Sequence, residues 1–222
     1  MILIGMNVAV FIGILLWTRD PGALTGSTDA HLQLAVGRDV LAYPINWRGA
    51  GVTEPDEWYR LVTSGFTHYG IIHLALNMYF LYVLGPLLEP QLGRVRFLLL
   101  YMASLLAGSL GAILLSPSSL TAGASGAVFG LMAAASVGLW RRGINPFSTS
   151  IGQILLLNLF LTFVISGISI GGHLGGAIAG AICATVMLAP PHQPSKVWIT
   201  YAMPIAVSVI SVVASVLVVG AA

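Results

Sequence analysis

The sequence predicts an all-α polytopic membrane protein, and three observations carry that reading. Only 7% of its 222 residues are charged, 57% are hydrophobic, and the mean hydropathy is +0.94. A soluble domain carries about a quarter charged residues, so these few cannot cover a water-facing surface. The apolar residues fall in long runs that do not alternate, which favours helices and gives no β-barrel signature of short alternating segments. The charged residues collect in the gaps between those runs.

Seven runs come close to the roughly 17–25 residues a helical span needs. They lie at 1–17, 71–88, 95–115, 124–140, 151–170, 171–189 and 197–220. The first is short, ends at "WTRD" and lacks a basic region before it, so it reads as a retained span and not a signal peptide. The fifth and sixth run together, with "SGISIGG" as the break between them. Residues 1–222 are expected to form one domain, with a core at about 1–190 and a further span at 197–220.

Charge orients the spans. Residues 18–70 hold Asp20, Asp29, Asp39, Glu54, Asp56 and Glu57, six of the seven acids. In the short gaps the bases are Arg94 and Arg96, Arg141 and Arg142, and Lys196, all on one side of the predicted membrane. The positive-inside rule assigns that side, and with it the N-terminus, to the cytoplasm. The first loop and the loop before Ser125 are then outside. The stretch "HLQLAVGRDVLAYPINWRG" mixes Trp, Tyr and Leu with single charges, which suits the membrane interface. A net charge of +2 from scattered bases gives no footprint for nucleic acid. Cys183 is the single cysteine, so no internal disulfide is possible, and its apolar surroundings make it a packing residue.

Ionisable or strongly polar groups inside a membrane are costly and are functional candidates by default. Few exist here. His73 and Asn77, four apart and on one helix face, open the second span in "HLALN". Ser125 opens the fourth in "TAGASGAVFG", and His173 opens the sixth in "GGHLGGAIAG". Asn158 lies within the fifth, in "LLLNLFL". The second, fourth and sixth spans all begin on the outer side, so His73, Asn77, Ser125 and His173 share one shallow depth. Gly126 and Gly130 repeat every four residues, as do Gly172, Gly176 and Gly180. Such small-residue faces let helix backbones approach closely in lipid. If those faces meet, Ser125 and His173 come within hydrogen-bond reach.

A serine hydroxyl is a poor nucleophile until a neighbouring base takes its proton, and His173 can supply that base. Every Asp lies in the outer loop, and the only acid elsewhere is Glu89 on the opposite side, so the pattern is a Ser–His dyad without a carboxylate. The His73 imidazole, the Asn77 amide and the backbone N–H of Ser125 at a helix N-terminus are candidate oxyanion donors. Gly123 and Gly126 permit a tight turn into the helix. Taken singly, each residue has a structural explanation: a Ser among Gly and Ala is commonly packing, and an Asn in a span is commonly interhelical glue. "GASGA" is not the G-x-S-x-G elbow, because Ala127 occupies the last position. The H-E-x-x-H zinc motif is missing, and His68 and His73 have no third ligand at useful spacing, so neither metal nor cofactor is expected.

As an ordered set these motifs resemble the rhomboid family of intramembrane serine proteases. "GASG" resembles the family's G-x-S-G, which maps to Gly123, Ser125 and Gly126. "HLALN" resembles its H-x-x-x-N at His73 and Asn77. "GGHLGGAIAG" resembles its H-x-G-G-x-x-x-G at His173, Gly175, Gly176 and Gly180. "EWYRLVTSGFTHYGIIH" resembles the first-loop segment that runs into the second span, with Arg60 at that segment's arginine and Tyr59 where Trp is frequent. The resemblance covers roughly residues 55–190.

It implies a six-helix core whose dyad sits in a water-accessible cavity open to the outer side. It also implies that Ser125 attacks the scissile carbonyl, that His173 acts as base and then acid, and that His73, Asn77 and the Ser125 N–H hold the oxyanion. Implied substrates are single-span membrane proteins, cut near the outer end of a helix that unwinds easily. Two features depart from the family pattern. Phe129 stands where many members have a Tyr that stacks on the catalytic His, and 197–220 adds a seventh span. Rival readings are a catalytically dead relative, which usually lacks the Ser or His, and a small transporter, which would need polar groups through the inner half of the membrane. The short loops and composition suggest a bacterial plasma membrane.

Overall fold

The computed structural model describes residues 1–26, 28–38, 41, 57–116, 119–190 and 192–220. Among these residues the chain is helical, with a single isolated β-bridge between Val36 and Thr121. Seven apolar helices dominate: α1 (Ile2–Thr18), α2 (Ile71–Leu92), α3 (Arg94–Leu115), α4 (Ser125–Trp140), α5 (Ser150–Val164), α6 (Ile170–Met187) and α7 (Val197–Gly220). Four of them, α2, α3, α6 and α7, are long and apolar enough to cross a membrane. The other three, α1, α4 and α5, are shorter and equally apolar. Large hydrophobic side chains such as Leu157, Phe160, Phe163, Val209 and Ile210 are more than half exposed. Water does not tolerate that surface and lipid does, so the protein is an integral membrane protein.

Local chemistry explains the boundaries. Arg19 ends α1 in the left-handed region at φ 52°. The helix α2 runs to Leu92, four residues past the predicted end, through Pro86 and Pro90; membrane helices accommodate such interruptions. The break between the fifth and sixth runs falls in "SGISIGG", as the sequence suggests, but α5 stops at Val164, short of the predicted end at 170. Gly167 then adopts φ 86°, and the Ser169 hydroxyl accepts from the Gly172 N–H to start α6. That leaves α5 only 15 residues, about 22 Å at 1.5 Å per residue.

Three helices form the centre. The sequence placed α4 against α6, and both also pack closely on α3. The glycines account for it. A Cβ on Gly176 would meet the backbone of Gly126, one on Gly180 would meet Gly130, and one on Gly111 would meet Gly171. Backbone therefore touches backbone on both sides of α6. The final helix α7 packs on α3 and α6 and leaves most of its surface outward.

The first loop is tied down by one buried cation. Arg60, 2% exposed, donates from Nη1 to the carbonyls of Leu32 (2.8 Å) and Ala35 (3.1 Å). Its Nε donates to Glu57 at 2.7 Å. Next to Ala35, Val36 and Thr121 exchange backbone hydrogen bonds of 2.9 and 2.7 Å. That bridge ties the first loop to the segment leading into α4. The interfacial reading of residues 31–49 falls partly outside the described residues, Tyr43 and Trp47 included.

Candidate active site

Four of the polar residues singled out in the sequence, His73, Asn77, Ser125 and His173, sit in the first two turns of helices α2, α4 and α6. His73 is the third residue of α2, Ser125 the first of α4, and His173 the fourth of α6. The backbone contact of Gly126 with Gly176 holds α4 and α6 together just below them. As a result Ser125 Oγ lies 2.8 Å from His173 Nε2. The Phe129 ring stacks on the imidazole, with centroids 4.0 Å apart and planes 18° from parallel. This aromatic ring fixes the histidine's plane without a hydroxyl.

The turn before Ser125 is held from outside. Gly123 has φ 128°, a left-handed value that disfavours any side chain. A Cβ there would also strike the His73 ring, 2.6 Å from its Cε1 and 2.7 Å from its Nε2. His73 thus occupies the space that Gly123 leaves open, beside Ser125. The Gly123 N–H donates to the Ser64 carbonyl at 2.8 Å, and the Ala124 N–H to His68 Nε2 at 3.3 Å. No side chain caps α4. The first-turn N–H groups of an α-helix lack intrahelical partners, so those at Ser125 and Gly126 point at whatever sits over the serine. Asn77 is buried one turn below His73, and its amide donates one N–H to the His73 carbonyl at 2.9 Å. Its second N–H remains available. A cavity of about 20 Å³ adjoins the serine, lined in part by Ser64, Ser109, Thr121, Ser125 and Gly172. That is room for about one water.

Two contacts were not legible in the sequence. His68, to which the sequence assigned no role, is fully buried and clips the turn that precedes Ser125. Burial pushes its pKa down to about 3, so it is a neutral hydrogen-bonding group. Thr162 of α5 is the second. Its hydroxyl lies 2.7 Å from His173 Nδ1, the ring nitrogen facing away from Ser125. Asn158, which the sequence singled out, bonds its amide to the Ile154 carbonyl within its own helix. The one available signal was that Thr162 follows Asn158 by four residues on the same face of an apolar helix. Among the described residues no group of three or more His, Cys, Asp or Glu is placed to hold a metal ion.

Comparison with known proteins gives the arrangement a relationship. A family model described as "Rhomboid domain" matches residues 55–190. Over 120 residues the chain is 39% identical to "Rhomboid protease GluP" of Bacillus subtilis, covering 53% of this chain and 24% of that protein. It is 32% identical over 179 residues to "RHOMBOID-like protein 4" of Arabidopsis thaliana, covering 79% of this chain and 43% of that protein. It is also 28% identical over 137 residues to "Inactive RHOMBOID-like protein 8" of the same plant, covering 58% of this chain and 38% of that protein. The chain spans less than half the length of each of these three relatives. Composition, helical architecture and the family match lead to one conclusion: the chain belongs to the rhomboid family.

Proposed function

We propose that this protein is an intramembrane serine endopeptidase with a Ser125–His173 dyad. The observation that carries the proposal is the 2.8 Å contact between Ser125 Oγ and His173 Nε2. His173 takes the hydroxyl proton as Oγ attacks the scissile carbonyl of a substrate. The negative charge then developing on the carbonyl oxygen falls to the N–H of Ser125, the His73 ring and the free N–H of Asn77. His173 returns the proton to the leaving amine, leaving an acyl-enzyme on Ser125. A water activated by the same imidazole then hydrolyses that ester, and the cavity beside Ser125 offers such a water a place. Gly123 and Gly126 let the backbone come close to the reacting carbonyl, and Gly176 and Phe129 hold the imidazole in register.

On this reading residues 1–222 form one domain with seven spans, a six-helix core and α7 on its flank. The N-terminus is cytoplasmic, the site faces outward, and a bacterial plasma membrane is the setting. The substrates are single-span membrane proteins, cut near their outer ends. No cofactor or metal takes part. Some relatives bear names that mark them inactive; this chain retains both a serine and a histidine in contact, which favours the active reading.

The test is cleavage of a model single-span substrate together with labelling by a fluorophosphonate probe. The wild type should cleave and label at Ser125, and Ser125→Ala and His173→Ala should do neither. Labelling that persists in Ser125→Ala would overturn the assignment. Asn77→Ala should retain more turnover than either, losing about 2.7–4 kcal/mol of transition-state stabilisation, the worth of one oxyanion donor. Complete loss equal to that of Ser125→Ala would remove Asn77 from that role.

A further inference from the structure

Among the described residues, no carboxylate stands behind the histidine of the proposed dyad. In a Ser–His–Asp triad a carboxylate holds the second imidazole nitrogen, keeping the tautomer in which the first nitrogen is a base. Behind His173 stands a neutral hydroxyl. Thr162 is 2% exposed, and its Oγ1 is 2.7 Å from His173 Nδ1 and 2.8 Å from the Asn158 carbonyl.

Counting protons decides the direction of each bond. A hydroxyl has one hydrogen to donate. The Asn158 carbonyl only accepts, so the 2.8 Å contact uses the Thr162 hydrogen. The 2.7 Å contact is then made only if His173 Nδ1 carries a proton and donates it to Oγ1. With the neutral ring protonated at Nδ1, Nε2 is left with a lone pair aimed at the Ser125 hydroxyl. In the opposite tautomer Thr162 would surrender its bond to Asn158, and Nε2–H would point at Ser125 and could not take its proton. In a buried, apolar site neither loss is repaid by solvent.

We infer that Thr162 is a positioning residue that holds His173 in the Nδ1–H tautomer and so makes Nε2 the base for Ser125. The inference rests on the Ser125–His173 reading above, and it gives α5 a chemical role.

The test has two arms. The first is ¹⁵N NMR of histidine-labelled full-length protein in bilayers, above the ordinary imidazole pKa of about 6.5. His173 is assigned by comparison with His173→Gln, and the spectrum is recorded for wild type and for Ser125→Ala. The proton should sit on Nδ1 in both, because Thr162 and not the serine sets it. A proton on Nε2 in the wild type overturns the inference, and this arm needs no substitution at Thr162. The second arm is turnover of the single-span substrate. Thr162→Val keeps the shape and loses the hydroxyl. Its kcat should fall at least about 10-fold, and by less than the roughly 10⁴-fold that the wrong histidine tautomer costs in a Ser–His–Asp triad, with KM little changed. Thr162→Ser should restore turnover. A Thr162→Val variant with wild-type kcat, or a Thr162→Ser variant as impaired as Thr162→Val, overturns it. If wild-type protein fails to label at Ser125, the proposed protease activity fails, and the NMR arm still decides what Thr162 does.

Discussion

The crossing of α4 with α6 and the packing of α5 beside them solve the same placement problem in opposite ways. At the crossing, Gly126, Gly130, Gly176 and Gly180 remove every side chain between two backbones. Nothing there can adjust, so Ser125 and His173 are positioned by the main chain. Helix α5 packs on α4 and α6 more thinly and turns Leu156, Leu157, Phe160, Phe163 and Val164 outward. It contributes one hydroxyl, Thr162, through a side chain with a single χ1. On the proposed reading, the groups that form and break bonds are set by backbone contact, and the group that orients them comes from a looser neighbour.

Substitutions can break that contrast. The largest effect should come from Gly176→Val. Its branches would enter the space of the Gly126 main chain, which cannot yield. The loss should reach about 3 kcal/mol, the upper end of ordinary overpacking, and labelling by a fluorophosphonate should vanish. Unfolding in mixed micelles, followed by circular dichroism, gives the first number.

Arg60→Met comes next. It strips the first loop of donors to Leu32, Ala35 and Glu57. Hydrogen bonds from charged groups are worth about 1.5–3 kcal/mol, and a loss within that range is expected. Because Ala35 adjoins the Val36–Thr121 bridge, turnover should fall as well.

The clip made by His68 predicts an acid sensitivity. Its pKa falls from 6.5 unfolded to about 3 folded, because burial disfavours the charged ring. Between those values the unfolded chain binds a proton that the folded one refuses. Stability should therefore drop as pH falls below about 6.5, by up to about 1.4 kcal/mol per unit for this group. Burial lowers His31 in the same direction, so His68→Gln should reduce the slope and not abolish it. Melting curves at several pH values would show whether it does. The smallest effect belongs to α5: Phe160→Leu, on its outward face, should change stability by no more than about 0.5 kcal/mol. A large loss there would mean that α5 is held as firmly as the crossing.

The architecture was legible because the membrane imposes a simple rule: long apolar runs become helices, and glycines at a four-residue spacing become contacts. The pairing of Ser125 with His173 followed from depth and glycine register. What the sequence concealed depends on rotation and on loops. Thr162 reads as an ordinary residue until the turn of α5 about its axis is known. His68 has no readable role until the approach of Ala124 shows it accepting from a backbone N–H. The packing of α3 on α6 through Gly108 and Gly111 was hidden because its glycines do not repeat every four residues.

The most direct check on the whole account is a structure of the wild-type protein after reaction with a fluorophosphonate. The account predicts a covalent bond from Ser125 Oγ to phosphorus. It also predicts a phosphoryl oxygen about 2.7–3.1 Å from the Ser125 N–H, as an oxyanion donor requires, with His73 and Asn77 on the same side. An adduct on another residue, or an oxygen turned away from all three donors, would contradict it.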